Sequence, residues 1–222
     1  MKFTGHMFTN RTGLSLRIAK ILAVLAGVAY CSWPLGYVLN PLVSAKGLAS
    51  ELAALNQPFN WVFIVTDVVA GVLVTAVSII LWRHDDGRKH HVVLANFAVF
   101  GLLTAIGSVI PMSCEPSLTT CPSLIHQPML IVHGVASFGA SISLFVSAVV
   151  VWWQRRKQGS ARIMSTFMAG YILFGALSIY FLIRPGQGYL SQHYYITLCS
   201  VWTAALPWML APRPLRGVDA TT

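Results

Sequence analysis

Thirteen of the fifteen Lys and Arg residues fall into four short clusters set between apolar stretches, and only Lys46 and Arg184 lie in the intervening gaps. Lys2, Arg11, Arg17 and Lys20 stand at the head of the first stretch, and Arg83, Arg88 and Lys89 follow the second. Arg155, Arg156, Lys157 and Arg162 follow the fourth, and Arg213 and Arg216 follow the last. Two stretches separate each cluster from the next, so all four clusters share one face of whatever the stretches cross. Basic loops resist translocation across a bilayer, which makes that face cytoplasmic.

Composition points the same way. Apolar residues make up 56% of the chain and charged residues 9%, against about a quarter charged in a soluble domain. The +9 formal charge is absorbed by the orientation signal, so the sequence argues against a nucleic-acid partner and for a lipid bilayer. At roughly 20 residues per span, 222 residues hold six spans with short loops.

The fold expected is therefore all-α: a single polytopic membrane helix bundle over 1–222 with six transmembrane helices and both termini cytoplasmic. The spans are predicted at Ser15–Leu39, Trp61–Trp82, Val92–Met112, Met129–Trp153, Ile163–Ile183 and Tyr194–Ala211. Ser15–Leu39 exceeds the roughly 7–15 residues of a signal-peptide core, and bulky Tyr30 precedes Cys31 where lipoprotein processing wants a small residue. Three loops then face outward: Asn40–Asn60, Ser113–Pro128 and Arg184–His193. Trp61, Tyr189, Tyr194 and Tyr195 mark the outer boundary and Trp82, Trp152, Trp153 and Trp208 the inner one, as amphipathic rings prefer. In the fourth span, Gly134, Ala136, Ser137, Gly139, Ala140 and Ser141 permit close backbone approach and predict a central helix. Pro34 and Pro207 lie inside spans as candidate kinks. Nothing in the sequence sets an oligomeric state.

Cys114 and Cys121 share the second outward loop, and an extracytoplasmic pair closing a short loop reads as a disulfide. Their spacing is not the C-x-x-C of a redox exchange centre. Cys31 and Cys199 lie within spans and read as small hydrophobes.

Ionisable groups at membrane depth cost at least about 2.5–3.5 kcal/mol and face a cavity or a partner. Asp67 lies six residues from the outer end of the second span and His133 four from that of the fourth, about 9 Å and about 6 Å deep at 1.5 Å per residue. His126 precedes His133 by two turns and Ser137 follows it by one. Glu51, Glu115, Arg184 and His193 gather at the same outer level. These eight residues make up one expected outward pocket.

Asp67, His133, Glu115 and Ser137 are its candidate catalytic groups, and Glu51, Arg184 and His193 its candidate substrate contacts. With Asp67, His126, His133 and His193 as ligands, a divalent metal such as zinc is the expected cofactor, lowering the pKa of bound water toward about 7 to hydrolyse a lipid or small amphiphile. No H-E-x-x-H or H-x-x-x-H spacing supports that set. The plain alternative is a structural Asp67–His133 or Asp67–Arg184 pair, with the loop groups solvated, in a non-enzymatic scaffold or binding protein. Proton-coupled small-solute transport lacks a charged path across the inner half and an inverted repeat. Haem ligation lacks a second His firmly within a span. A cyclase of prenylated substrates, with Asp67 as the acid, is a further alternative.

Two segments carry a resemblance. One is Ser50-Glu51-Leu52-Ala53-Ala54-Leu55-Asn56-Gln57-Pro58 leading to Thr66-Asp67-Val68-Val69-Ala70-Gly71. The other is Ile110-Pro111-Met112-Ser113-Cys114-Glu115-Pro116-Ser117, ending at Cys121 and His133. Together they resemble the bacterial and archaeal membrane proteins grouped as "domain of unknown function 998". The resemblance implies a compact six-helix bundle in the plasma membrane with a cysteine-pinned outer loop, and it implies no activity. That family's pattern carries Asp before the first loop cysteine, whereas Ser113 stands here, removing one candidate acid.

Overall fold

A computed structural model describes residues 5–84, 88–117, 121, 128–156, 161–182 and 189–210. Every regular element among them is helical. Six are long: α1 (Gly5–Tyr30), α4 (Asn60–Trp82), α5 (Arg88–Val109), α6 (Pro128–Arg155), α7 (Ala161–Leu182) and α8 (Tyr189–Leu210). Between α1 and α4 the chain forms short α2 (Gly36–Leu39) and α3 (Pro41–Lys46), flanked by 3₁₀ turns at Trp33–Leu35 and Ala49–Ala53.

Five stretches are long and apolar enough to cross a membrane: Gly13–Leu39, Asn60–Trp82, His90–Val109, Pro128–Arg155 and Arg162–Tyr180. The sixth long helix, α8, has the length but falls short in hydropathy, because it carries Ser191, His193, Ser200 and Thr203, all four of them buried. Those polar groups face protein rather than lipid.

The long helices form a ring in which α4 lies between α1 and α5, α6 packs on the far side of α5, and α8 joins α1 to α7. Leu94 and Phe97 of α5, Leu144 of α6, and Trp202 and Leu206 of α8 are among the fully buried side chains that fill the core. Backbones approach most closely where α4 crosses α5. A Cβ on Gly101 would sit 2.6 Å from the carbonyl oxygen of Gly71, and one on Gly71 would strike the Gly101 carbonyl. Glycine on α1 serves the same purpose, since a Cβ on Gly27 would meet the Ser200 carbonyl of α8 at 2.7 Å. Without a hydrophobic effect between lipid-immersed helices, such contacts supply the packing attraction.

The first apolar stretch forms one candidate span, Gly13–Leu39, within which the α-helix gives way to a 3₁₀ turn at Trp33–Leu35; Pro34, one of the two candidate kinks, lacks an N–H for the helical ladder. The expectation that α6 is central is revised. Ala136, Gly139 and Ala140 of α6 press on α5 or into the core, but the helix touches α7 and α8 only sparsely, and nothing lies within 4 Å of the Cβ position of Gly134.

Described members of the basic clusters lie toward one end of the bundle. Lys20 of α1 lies 5.4 Å from the ring of Trp208 on α8, Arg155 of α6 donates to the Met209 carbonyl, and Trp82 of α4 stacks on His91 of α5. The opposite end carries the cystine and is called the disulfide end below.

Gly101→Val should lower thermal stability by about 1–3 kcal/mol, the usual cost of overpacking. Thermal unfolding in detergent measures this, and an unchanged midpoint would show that the α4–α5 crossing is slack.

Candidate functional site

In the half of the bundle toward the disulfide end, the ring leaves a cavity of about 110 Å³. Asp67 from α4, Thr104 and Gly107 from α5, His133 and Ser137 from α6, and Gln192 and Tyr195 from α8 all line it, with Tyr30 and Trp33 from the end of α1 and the turn beyond. Because α5 stands between α4 and α6, Asp67 and His133 approach the cavity from helices that do not pack closely on each other.

His133 is oriented by the backbone. Its Nδ1 lies 2.9 Å from the carbonyl oxygen of Gly107, which can only accept, so Nδ1 carries the proton. In the neutral ring Nε2 then holds the lone pair, open to a ligand or a proton. One turn beyond Ser137 on α6, the Ser141 carbonyl accepts from the Tyr171 hydroxyl at 2.8 Å, and that hydroxyl lies 2.6 Å from the Tyr195 hydroxyl. With the Tyr171 proton committed to the carbonyl, Tyr195 is the donor within the pair. Asp67 makes no hydrogen bond or ion pair among the described residues, and Thr104 Oγ1 is buried without a hydrogen-bond partner there.

Not all of the expected pocket converges. His126 and Arg184 lie outside the described residues. His193 is only 2% exposed, but it does not line the cavity. Its ring stacks on Trp33 with centroids 4.3 Å apart, while Trp33 Nε1 donates to Thr197 Oγ1 at 3.2 Å. Among the described residues, no three His, Cys, Asp or Glu side chains group closely enough to hold a metal.

Glu51 and Glu115 also stand apart from the cavity, in a folded cap at the disulfide end rather than in solvated loops. Glu115, fully buried, accepts from Asn56 Nδ2 at 2.6 Å and Gln57 Nε2 at 2.9 Å, while its own N–H donates to Asn56 Oδ1. Glu51, 1% exposed, accepts from the Ser117 hydroxyl at 2.8 Å. Leu55 N–H donates to the Met112 carbonyl at 2.8 Å, and Asn40 Nδ2 to Gln57 Oε1 at the same distance. The Cys114–Cys121 bridge, with Cα atoms 5.9 Å apart, closes the loop that carries Glu115 and Ser117. At the cap's edge, Ser50 N–H donates to Gln192 Oε1 on α8, and both residues line the cavity. Phe59, just before α4, adopts φ 57°, a costly conformation for a bulky residue. The Asn56 and Gln57 bonds to Glu115 hold the turn that leads into it.

Sequence reasoning does not single out Tyr30, Trp33, Thr104, Gln192 or Tyr195 as lining residues. Trp33 lines the cavity from the 3₁₀ turn that holds Pro34, and the polar residues of weakly apolar α8 are a sequence clue to an inward polar face.

A family model described as "Protein of unknown function (DUF998)" matches residues 21–212. The chain belongs to that family. The match spans every long helix from within α1 to the end of α8, so the cavity and the cap both lie inside the DUF998 region. No match was found among curated proteins or among solved structures.

Burial holds Glu51 above the ordinary carboxyl range; the charge of Glu115 adds to this and the Ser117 hydroxyl opposes it. A raised folded-state pKa means that the folded protein binds the proton more tightly. Its stabilising contribution is full below the unfolded carboxyl pKa and is lost as pH rises through the folded value. Glu51→Gln, which keeps an acceptor for Ser117 but cannot ionise, should flatten the fall in melting temperature as pH rises above the ordinary carboxyl range. An identical slope in the variant would exclude Glu51 as its source.

Proposed function

We propose that this DUF998 protein is a six-span plasma-membrane protein that binds the headgroup of a small amphiphile in an outward-facing polar cavity. The observation that carries this reading is the convergence of Asp67 from α4 with His133 and Ser137 from α6 on one cavity. Polar groups at that depth are costly unless they face a partner or a cavity. Binding sites typically combine an apolar wall with a few placed polar groups, and here the aromatic residues Tyr30, Trp33 and Tyr195 line the same space as Asp67 and His133.

Orientation rests on the basic clusters. With α8 counted as the sixth span, both termini and all four clusters are cytoplasmic, and the disulfide end faces the oxidising exterior where a cystine persists. A fluorescent protein fused after Thr222 should fluoresce, and an alkaline phosphatase fused there should be inactive. The reverse pattern would overturn the six-span topology.

A second reading, hydrolysis, draws on His133 and Ser137. The Nδ1 bond to Gly107 presents Nε2 of His133 as a base, and Ser137 stands one turn along the same helix as a candidate nucleophile. That reading needs no metal.

Native mass spectrometry of protein released from its membrane tests headgroup binding. Wild type should retain a bound amphiphile, and Ser137→Trp, which fills the cavity from an exposed position, should lose it. Equal retention by a folded variant would sink the proposal.

A further inference from the structure

The chemistry of the cavity is asymmetric. Among the described residues no Lys or Arg side chain lines it, yet the Asp67 carboxyl does, without a hydrogen bond or ion pair. A carboxylate at membrane depth is ordinarily paired with a cation or a donor. Here the described protein supplies neither, while the aromatic residues Tyr30, Trp33 and Tyr195 line the same cavity. A carboxylate with aromatic faces is the combination that recognises alkylated ammonium groups, through charge and through the negative face of each ring. An anionic headgroup would meet the Asp67 carboxylate with no Lys or Arg among the described lining residues to offset it.

Size and polarity agree. A cavity of about 110 Å³ is somewhat smaller than an apolar cavity of about 150 Å³ known to hold benzene. It therefore suits a compact group, not a sugar or a whole diester headgroup. Thr104 Oγ1, on a residue 8% exposed and with no hydrogen-bond partner, lies on the wall as a ready contact for one ligand oxygen.

The cavity also has a side opening. Ser137 lines it and is exposed, no described residue of α7 lines it, and α6 touches α7 only sparsely. Exposed Val135, Phe138 and Ile142 form an apolar stripe farther around α6.

We infer that the cavity takes a small alkylammonium group, the cationic head of a single-chain amphiphile or the free cation itself, between the Asp67 carboxylate and the rings of Tyr30, Trp33 and Tyr195, entering beside Ser137 on α6. This rests on the headgroup-binding reading and specifies its ligand class.

The test uses the full chain in lipid nanodiscs, with choline as the probe and its carbon isostere, in which a quaternary carbon replaces the nitrogen, as the neutral control. Calorimetry should show choline binding about tenfold tighter than the isostere, within the range of a desolvated cation–aromatic contact, and Asp67→Asn should erase that preference. The wild-type comparison requires no variant, so a poorly folding Asp67→Asn leaves the result decisive. Equal affinity for choline and the isostere, or tighter isostere binding, overturns the ammonium assignment while leaving headgroup binding intact. Absence of binding by either probe also overturns it, and the native-mass result with Ser137→Trp then decides whether the wider reading falls too. A choline analogue with a long alkyl chain distinguishes the two sources: binding at least about tenfold tighter than choline, one decade of affinity, marks an amphiphile, and binding no tighter marks the free cation.

Discussion

A carboxylate wholly removed from water is tolerated only when donors reach it from the surrounding fold. Glu115 meets that condition with the side-chain amides of Asn56 and Gln57, 59 and 58 residues earlier in the chain. Satisfying it forces the loop after α5 down onto the segment before α4. Once that contact is made, Leu55 pairs with Met112, Glu51 receives the Ser117 hydroxyl, and Phe59 is held at a backbone angle it would otherwise avoid. Residues 33–59 thus become a roof rather than a loop, and Trp33 and Ser50 reach the cavity wall from that roof.

Beneath the roof the helices divide the work unevenly. On one side, glycines at the α4–α5 and α1–α8 contacts bring backbones together. The other side, where α6 meets α7 more sparsely, is joined by Tyr171 to the Ser141 carbonyl, by Trp152 Nε1 to Ser165 Oγ and by the stacked rings of Phe145 and Tyr171. Tight packing on one flank and loose packing on the other leave space where the polar residues of α4, α5, α6 and α8 converge. The backbone carbonyl of Gly107 then sets which nitrogen of His133 faces away from α5.

Much of this was legible in the sequence because it obeys long-range regularities. Apolar runs announced the long helices, and residue spacing from the boundary placed Asp67 and His133 at comparable depth without knowledge of which helices adjoin. The cysteine pair announced the closed loop. What stayed hidden depends on local direction. Pro34 gave notice of a break but not of the turn that aims Trp33 inward. The polar residues of α8 lowered its hydropathy without revealing that they face protein. Glu51, Glu115 and His193 shared an outer level with Asp67, yet level alone does not distinguish a roof from a cavity wall. His193 found an aromatic stack and the two glutamates found loop donors, so none of the three reached the space below.

The roof has a consequence for the order in which the protein is built. Its first half, 33–59, emerges before α4, but the partners of Glu51, Asn56 and Gln57 lie after α5, and the partner of Ser50 N–H lies on α8. The donors and acceptors that satisfy this segment are therefore not available to it until later parts of the chain have been made. Completion of the cavity wall is consequently a late event, since Gln192 and Tyr195 arrive with the last helix.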